Sequence, residues 1–133
     1  MVLDARIEKL TEVLAYIDES LERRGCPARV RMQIDIAVEE IFVNIASYAY
    51  APNVGKAEIL IREDQDPKGI TITFIDSGVP YNPVVKPDPD VTLSASERQI
   101  GGLGIYMVKK SMDEMTYRDE AGRNVLTIRK EFA

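Results

Sequence analysis

The sequence predicts an α+β fold, a two-layer sandwich in which helices cover one face of a mixed, mostly antiparallel β-sheet. Three observations predict it. Two long stretches with helical spacing open the chain, and short β-branched runs follow them. The order helix, helix, strand, strand, loop, helix, strand, strand also lacks the strict alternation of a doubly wound parallel sheet. At 133 residues and 45% hydrophobic composition, the chain fits one domain over 1–133 that holds a core without metal or disulfide staples.

The elements follow in order. Residues Ala5 to Arg24 place Ile7, Leu10, Val13, Leu14, Ile17 and Leu21 on one stripe, and Gly25 ends the run as a helix C-cap. Pro27 suits the first turn of a second helix, where a missing N–H costs little. That helix runs to about Tyr50, with Val30, Ile34, Ala37, Val38, Ile41, Ile45 and Ala49 facing inward, until Pro52, Asn53 and Gly55 stop it. The period then changes. Ala57 to Arg62 and Ile70 to Ile75 read as the strands of a hairpin around the turn-rich segment Glu63 to Gly69. Asp76 to Gly104 holds four of the seven prolines and four of the eight glycines without sustained periodicity. A connection that long in a compact domain is usually functional. A third helix covers about Leu103 to Met115, with Met107, Met112 and Met115 as core fillers. Strands at about Met115 to Arg118 and Asn124 to Phe132 close the chain around Ala121-Gly122.

Composition removes several chemistries. There is no histidine, so a His-based triad, a His-ligated metal and an imidazole general base are excluded. The lone cysteine, Cys26, excludes an internal disulfide and a multi-cysteine zinc site. Seventeen basic against 22 acidic side chains give a net charge of −5, which disfavours direct nucleic-acid binding. No apolar run approaches the roughly 20 residues that span a bilayer, and the N-terminus has no signal-peptide pattern. The expectation is a cytoplasmic protein with no membrane contact.

Three segments can carry chemistry. In the second helix, Glu40 and Asn44 are four apart and lie one above the other on one face, flanked by Ile36, Ile41, Val43 and Ile45. A solvated helix face is the plain reading of that pair. A carboxylate beside an amide oxygen also suits a general base and a hard-cation ligand. Directly after the strand ITITFI comes Asp76-Ser77-Gly78-Val79-Pro80-Tyr81-Asn82-Pro83. An aspartate at a strand end can accept from an exocyclic amine, and Gly78 lets the backbone approach that ligand. An ordinary strand-to-loop turn explains the same residues. Gly101-Gly102-Leu103-Gly104 leads into a helix, where freed N–H groups and the helix N-terminus suit phosphate, while a hinge is the plainer alternative. It is not a Walker A loop, because no Gly-Lys-Ser/Thr follows, and it does not follow a strand as a dinucleotide fingerprint does.

Taken together and in this order, the three segments resemble the N, G1 and G2 boxes of the Bergerat-fold ATP-binding domain shared by gyrase, sensor histidine kinases and heat-shock chaperones. The strings DSGVPYNP and GGLGIYMVKKSMDEMTY narrow the likeness to the anti-sigma factor serine-protein kinases, over about Ala5 to Phe132. The resemblance implies ATP and Mg²⁺ as cofactors. It implies Glu40 as the acid that activates a serine hydroxyl, and Asn44 as the Mg²⁺ ligand at the ATP phosphates. Asp76 would read the adenine amine and Gly78 would line the base. Gly102 and Gly104, helped by Gly101, would hold phosphate. Val79 to Ile100 would form the ATP lid, with Arg98 as a phosphate contact within it.

Two positions depart from the wider superfamily. Pro80 stands where many members have a second glycine, and Asn124 stands where many have a threonine near the adenine. An asparagine can still hydrogen-bond there, but Asn124 is left outside the expected site. The implied function is a serine/threonine protein kinase that phosphorylates a small anti-sigma-factor antagonist and also sequesters a sigma factor. The alternative is a non-catalytic ATP-binding module that holds a protein partner. A homodimer is implied too, with the first helix as the surface in question, although packing on the sheet also explains its stripe.

Overall fold

The computed structural model describes residues 1–84 and 102–133. Most of the expected lid, with Arg98 and Gly101, lies outside the described residues. The strands are β1 (Val2–Asp4), β2 (Lys56–Gln65), β3 (Lys68–Asp76), β4 (Glu114–Glu120) and β5 (Arg123–Glu131). The helices are α1 (Leu10–Arg23), α2 (Ala28–Asn44) and α3 (Gly102–Ser111). One five-stranded sheet has the order β1-β2-β3-β5-β4, and every pairing among the described strands is antiparallel. This is the α+β architecture that the sequence predicts.

Alternation along the strands sets the two faces. Ile59, Ile72, Phe74 and Ile128 are buried on the helix side, together with Val13, Ile17, Leu21, Ile34, Val38 and Phe42 from α1 and α2. Val108 of α3 and Met112, just beyond its end, join them. Truncating Phe42 or Phe74 to alanine removes a fully buried ring, a loss of about 3–5 kcal/mol. The opposite face carries polar pairs such as Thr73 and Thr127, whose hydroxyls lie 3.2 Å apart.

Two devices fix the ends of elements near this core. Gly25, at φ +71°, terminates α1, and the next N–H, of Cys26, returns to the Leu21 carbonyl at 3.0 Å. Arg24 is then buried, donating to the Gly69 carbonyl at 2.7 Å with its guanidinium 5.1 Å from the centre of the Phe132 ring. This clamps the end of α1 to the start of β3. Between β4 and β5 the positive φ values of Ala121 (54°) and Gly122 (83°) form the kind of two-residue turn that matches strand twist.

Several expectations need correcting. β1 has no forecast in the sequence, and the helical stripe begins later than expected. Ile7 sits in a short 3₁₀ turn (Ile7–Lys9) and is 54% exposed rather than facing the core. Helix α3 ends at Ser111, so Met115 belongs to β4, and Met107 is 51% exposed rather than a core filler. The helical run after α2 does reach Ala49, but Ile45–Ala49 is a π-helical turn. No helix among the described residues is long and apolar enough to cross a membrane.

Candidate functional site

A cavity of about 370 Å³ opens where the end of α2, its π-helical turn, the ends of β3 and β5 and the first turn of α3 converge. Its volume suits a small-molecule ligand. Ile41, Ile45, Ile105 and Leu126 give it apolar walls, with Tyr48, Tyr81 and Tyr117 at its sides. Among its polar lining residues are Asn44, Asp76 and Asn124. A flat apolar ring with a few polar edge atoms fits such a slot.

The antiparallel register makes the polar end. Asp76, the last residue of β3, pairs directly with Asn124 of β5, which puts both side chains on the helix-facing side of the sheet. Both are buried. Asn124 Nδ2 donates to Asp76 Oδ1 at 2.9 Å, and the Gly78 N–H donates to the same oxygen at 2.9 Å. Among the described residues neither bond uses Asp76 Oδ2, so the carboxylate keeps an acceptor for a ligand. Asn124 Nδ2 also reaches the Val79 carbonyl at 3.1 Å. Its Oδ1 accepts from the Tyr117 hydroxyl at 2.6 Å and from the Tyr81 N–H at 3.2 Å. Burial, with the carboxylates of Asp119 and Asp76 nearby, pushes the Tyr117 phenol above its ordinary pKa, so it remains a donor.

The chain leaving β3 is held down by the π-helical turn. The Val79 N–H donates to the Ala49 carbonyl at 2.8 Å. Gly78 lies so close to Ala49 that a Cβ there would strike the Ala49 carbonyl oxygen. That close approach explains the glycine of the Asp-x-Gly motif more directly than ligand contact does, since Gly78 is not among the cavity-lining residues. The π-helical turn, a feature that often marks functional sites, is what carries Ala49 to this position.

At the other end stand Glu40, Asn44 and α3. Asn44 is the last residue of α2 and lines the cavity. Glu40, one turn earlier, is half-buried and lies against the first turn of α3. A Cβ on Gly104 would fall on its Oε2 and within 2.6 Å of its Cδ. The structure thus joins Glu40 to Gly104, and Asn44 to Asp76 through the cavity. Gly102 opens α3, while Gly101 lies outside the described residues.

The donor set also bears on a metal. Among the described residues no group of three Cys, Asp or Glu side chains could hold one. The Asn44 amide oxygen with the Glu40 carboxylate nearby fits a hard cation that takes its other ligands from phosphate and water. Sequence reasoning weighed Asn124 but left it out of the site, and it passed over Tyr117. The register Asp76↔Asn124 between β3 and β5 brings Asn124 in, and the pairing of β4 with β5 brings Tyr117 beside it; both need neighbour relations that no local pattern encodes.

Comparison with known proteins agrees with this geometry. A family model described as the histidine kinase-like ATPase domain matches residues 3–130. The chain is also similar to the serine/threonine-protein kinase BtrW of Bordetella bronchiseptica, at 26% identity over 118 residues, covering 89% of this chain and 82% of that protein. With the match spanning nearly the whole chain, the protein belongs to the histidine kinase-like ATPase domain family.

Proposed function

We propose that the protein transfers the γ-phosphate of ATP to a serine or threonine hydroxyl of a small anti-sigma-factor antagonist, and that it sequesters a sigma factor as a second partner. The observation that carries this reading is the position of Glu40, against the first turn of α3 and one helical turn from the cavity residue Asn44. Phosphoryl transfer asks a protein mainly for positioning and charge neutralisation. Asp76 Oδ2 accepts from the adenine amine, and the apolar walls hold the ring. The N-terminus of α3, entered through glycines, faces the phosphates. Mg²⁺, when bound, neutralises phosphate charge, with Asn44 as its protein ligand. Glu40 takes the proton of the acceptor hydroxyl as the oxygen bonds to the γ-phosphorus, and the bond to the departing ADP oxygen breaks. A carboxylate is the natural base in a chain without histidine.

The likeness to a protein named a serine/threonine kinase supports the choice of acceptor. The test has two steps. A pull-down from the native cell, in ATP and then in ADP, identifies the partners. Labelled ATP then reports transfer to the captured antagonist. Label on serine or threonine supports the kinase reading. A partner retained in ATP but never labelled leaves a non-catalytic ATP-binding module instead.

A further inference from the structure

We propose that Asn124 is the positioning residue of the base pocket, fixing which oxygen of Asp76 is offered to the ligand and tying that choice to the chain segment leaving β3. This rests on the reading of Asp76 as the acceptor for the base. The Tyr81 N–H is an obligate donor, and it points at Asn124 Oδ1 from 3.2 Å. That bond settles the orientation of the amide, and the Tyr117 hydroxyl reinforces it at 2.6 Å. With Oδ1 committed, Nδ2 must face Asp76 Oδ1, 2.9 Å away, and the Val79 carbonyl, 3.1 Å away. The Gly78 N–H takes the same Asp76 oxygen. One carboxylate oxygen is thereby saturated by two donors, and the other is presented as a pure acceptor.

A pure acceptor selects a base that offers a donor. Adenine has an amine at that edge, whereas hypoxanthine has a carbonyl, whose lone pairs would face the carboxylate. A site built to hydrogen-bond a donor rejects an analogue that lacks it more strongly than apolar contacts can. Asn124 also lines the cavity, but both ends of its amide are bonded within the protein. It acts by keeping the Asp76 carboxylate from turning, and Tyr117 acts by keeping Asn124 from turning. The same amide holds the backbone at Val79 and Tyr81, so the base edge and the root of the following loop are set by one side chain.

The test is the ratio of ATP to inosine triphosphate affinity, measured by calorimetry on the whole chain. A residue that only supports the fold would weaken both nucleotides alike, so the ratio isolates positioning. The expected result is a clear ATP preference in the wild type, reduced about tenfold in Asn124→Ala, the scale of one hydrogen bond to a charged group. Tyr117→Phe, which removes one hydroxyl, should reduce the ratio by a smaller factor in the same direction, and it decides the question alone if Asn124→Ala does not fold. An unchanged ratio in the folded variants overturns the inference. Asp76→Asn separates the two layers of the argument. If it abolishes the preference while the Asn124 and Tyr117 variants keep theirs, the base reading stands and the positioning role falls. If Asp76→Asn leaves the preference intact, the base reading fails and takes the positioning role with it.

Discussion

The carboxylate of Glu40 on α2 occupies the space where a side chain on Gly104 of α3 would begin. Gly25, Gly55, Gly69, Gly78 and Gly122 meet no carboxylate in this way. The contact makes the first turn of α3 and the acid of α2 a single unit, with the cavity residue Asn44 one turn further along.

Gly104→Ala should therefore separate activity from stability. The atom in the way is the far end of a flexible side chain, so Glu40 can swing aside and stability should change by less than about 1 kcal/mol. Phosphate transfer should fall at least about tenfold, because a displaced base loses its contribution to proton transfer. Gly78→Ala makes the contrast. Its obstacle is the backbone carbonyl of Ala49, so it should cost about 1–3 kcal/mol in a denaturant melt and disturb the base pocket.

Asn44→Ala should shrink the Mg²⁺ dependence of ATP binding. Affinity measured with the metal should drop about tenfold, the scale of one charge-assisted contact, while affinity in a chelator should change little. Equal losses in both conditions would place Asn44 outside the cation's surroundings.

The pair Asp18 and Asp35, between α1 and α2, should make stability depend on pH. Asp18 Oδ1 and Asp35 Oδ1 are buried with no hydrogen-bond partner among the described residues, and Arg31 approaches Asp18 at 3.4 Å. Desolvation first, and then the neighbouring Asp18 carboxylate, raise the Asp35 pKa to about 7, with Arg31 opposing. The folded pKa lies above the unfolded value of about 3.9, so the native state keeps a proton that the unfolded chain releases between those limits. Its contribution is fully present below about pH 4, declines as pH rises through about 7, and is flat above. Asp35→Asn should flatten this slope and raise the melting temperature at pH 7.5 relative to wild type. The same slope in both proteins, in melts from pH 5 to 8, would contradict the assignment.

The sequence revealed the elements whose signals are local. Gly25 at a C-cap, the β-branched run ITITFI and the glycines in the first turn of α3 each announce themselves within a few residues. What stayed hidden depends on pairing across the chain. β1 is three residues long, too short to show alternation, and it exists because Leu3 pairs with Ala57. The role of Asn124 requires β5 to lie beside β3, a neighbour relation that no local pattern encodes. Asp18 and Asp35 read as ordinary charges on two helix faces until α1 and α2 pack together. Asp76 was legible from its motif, while Gly78 answers to Ala49, a contact that passes through the π-helical turn.

The central claim is that Glu40 performs chemistry and does not merely shape the site, and Glu40→Gln tests it most directly. The amide keeps the size of the side chain and removes its basicity, so ATP affinity with Mg²⁺ should stay within about twofold of wild type, against a tenfold step per 1.4 kcal/mol. Transfer from labelled ATP to the captured antagonist should fall by about 10²-fold or more, the usual scale for loss of a positioned general base. Transfer at the wild-type rate by a variant that still binds ATP would contradict the account.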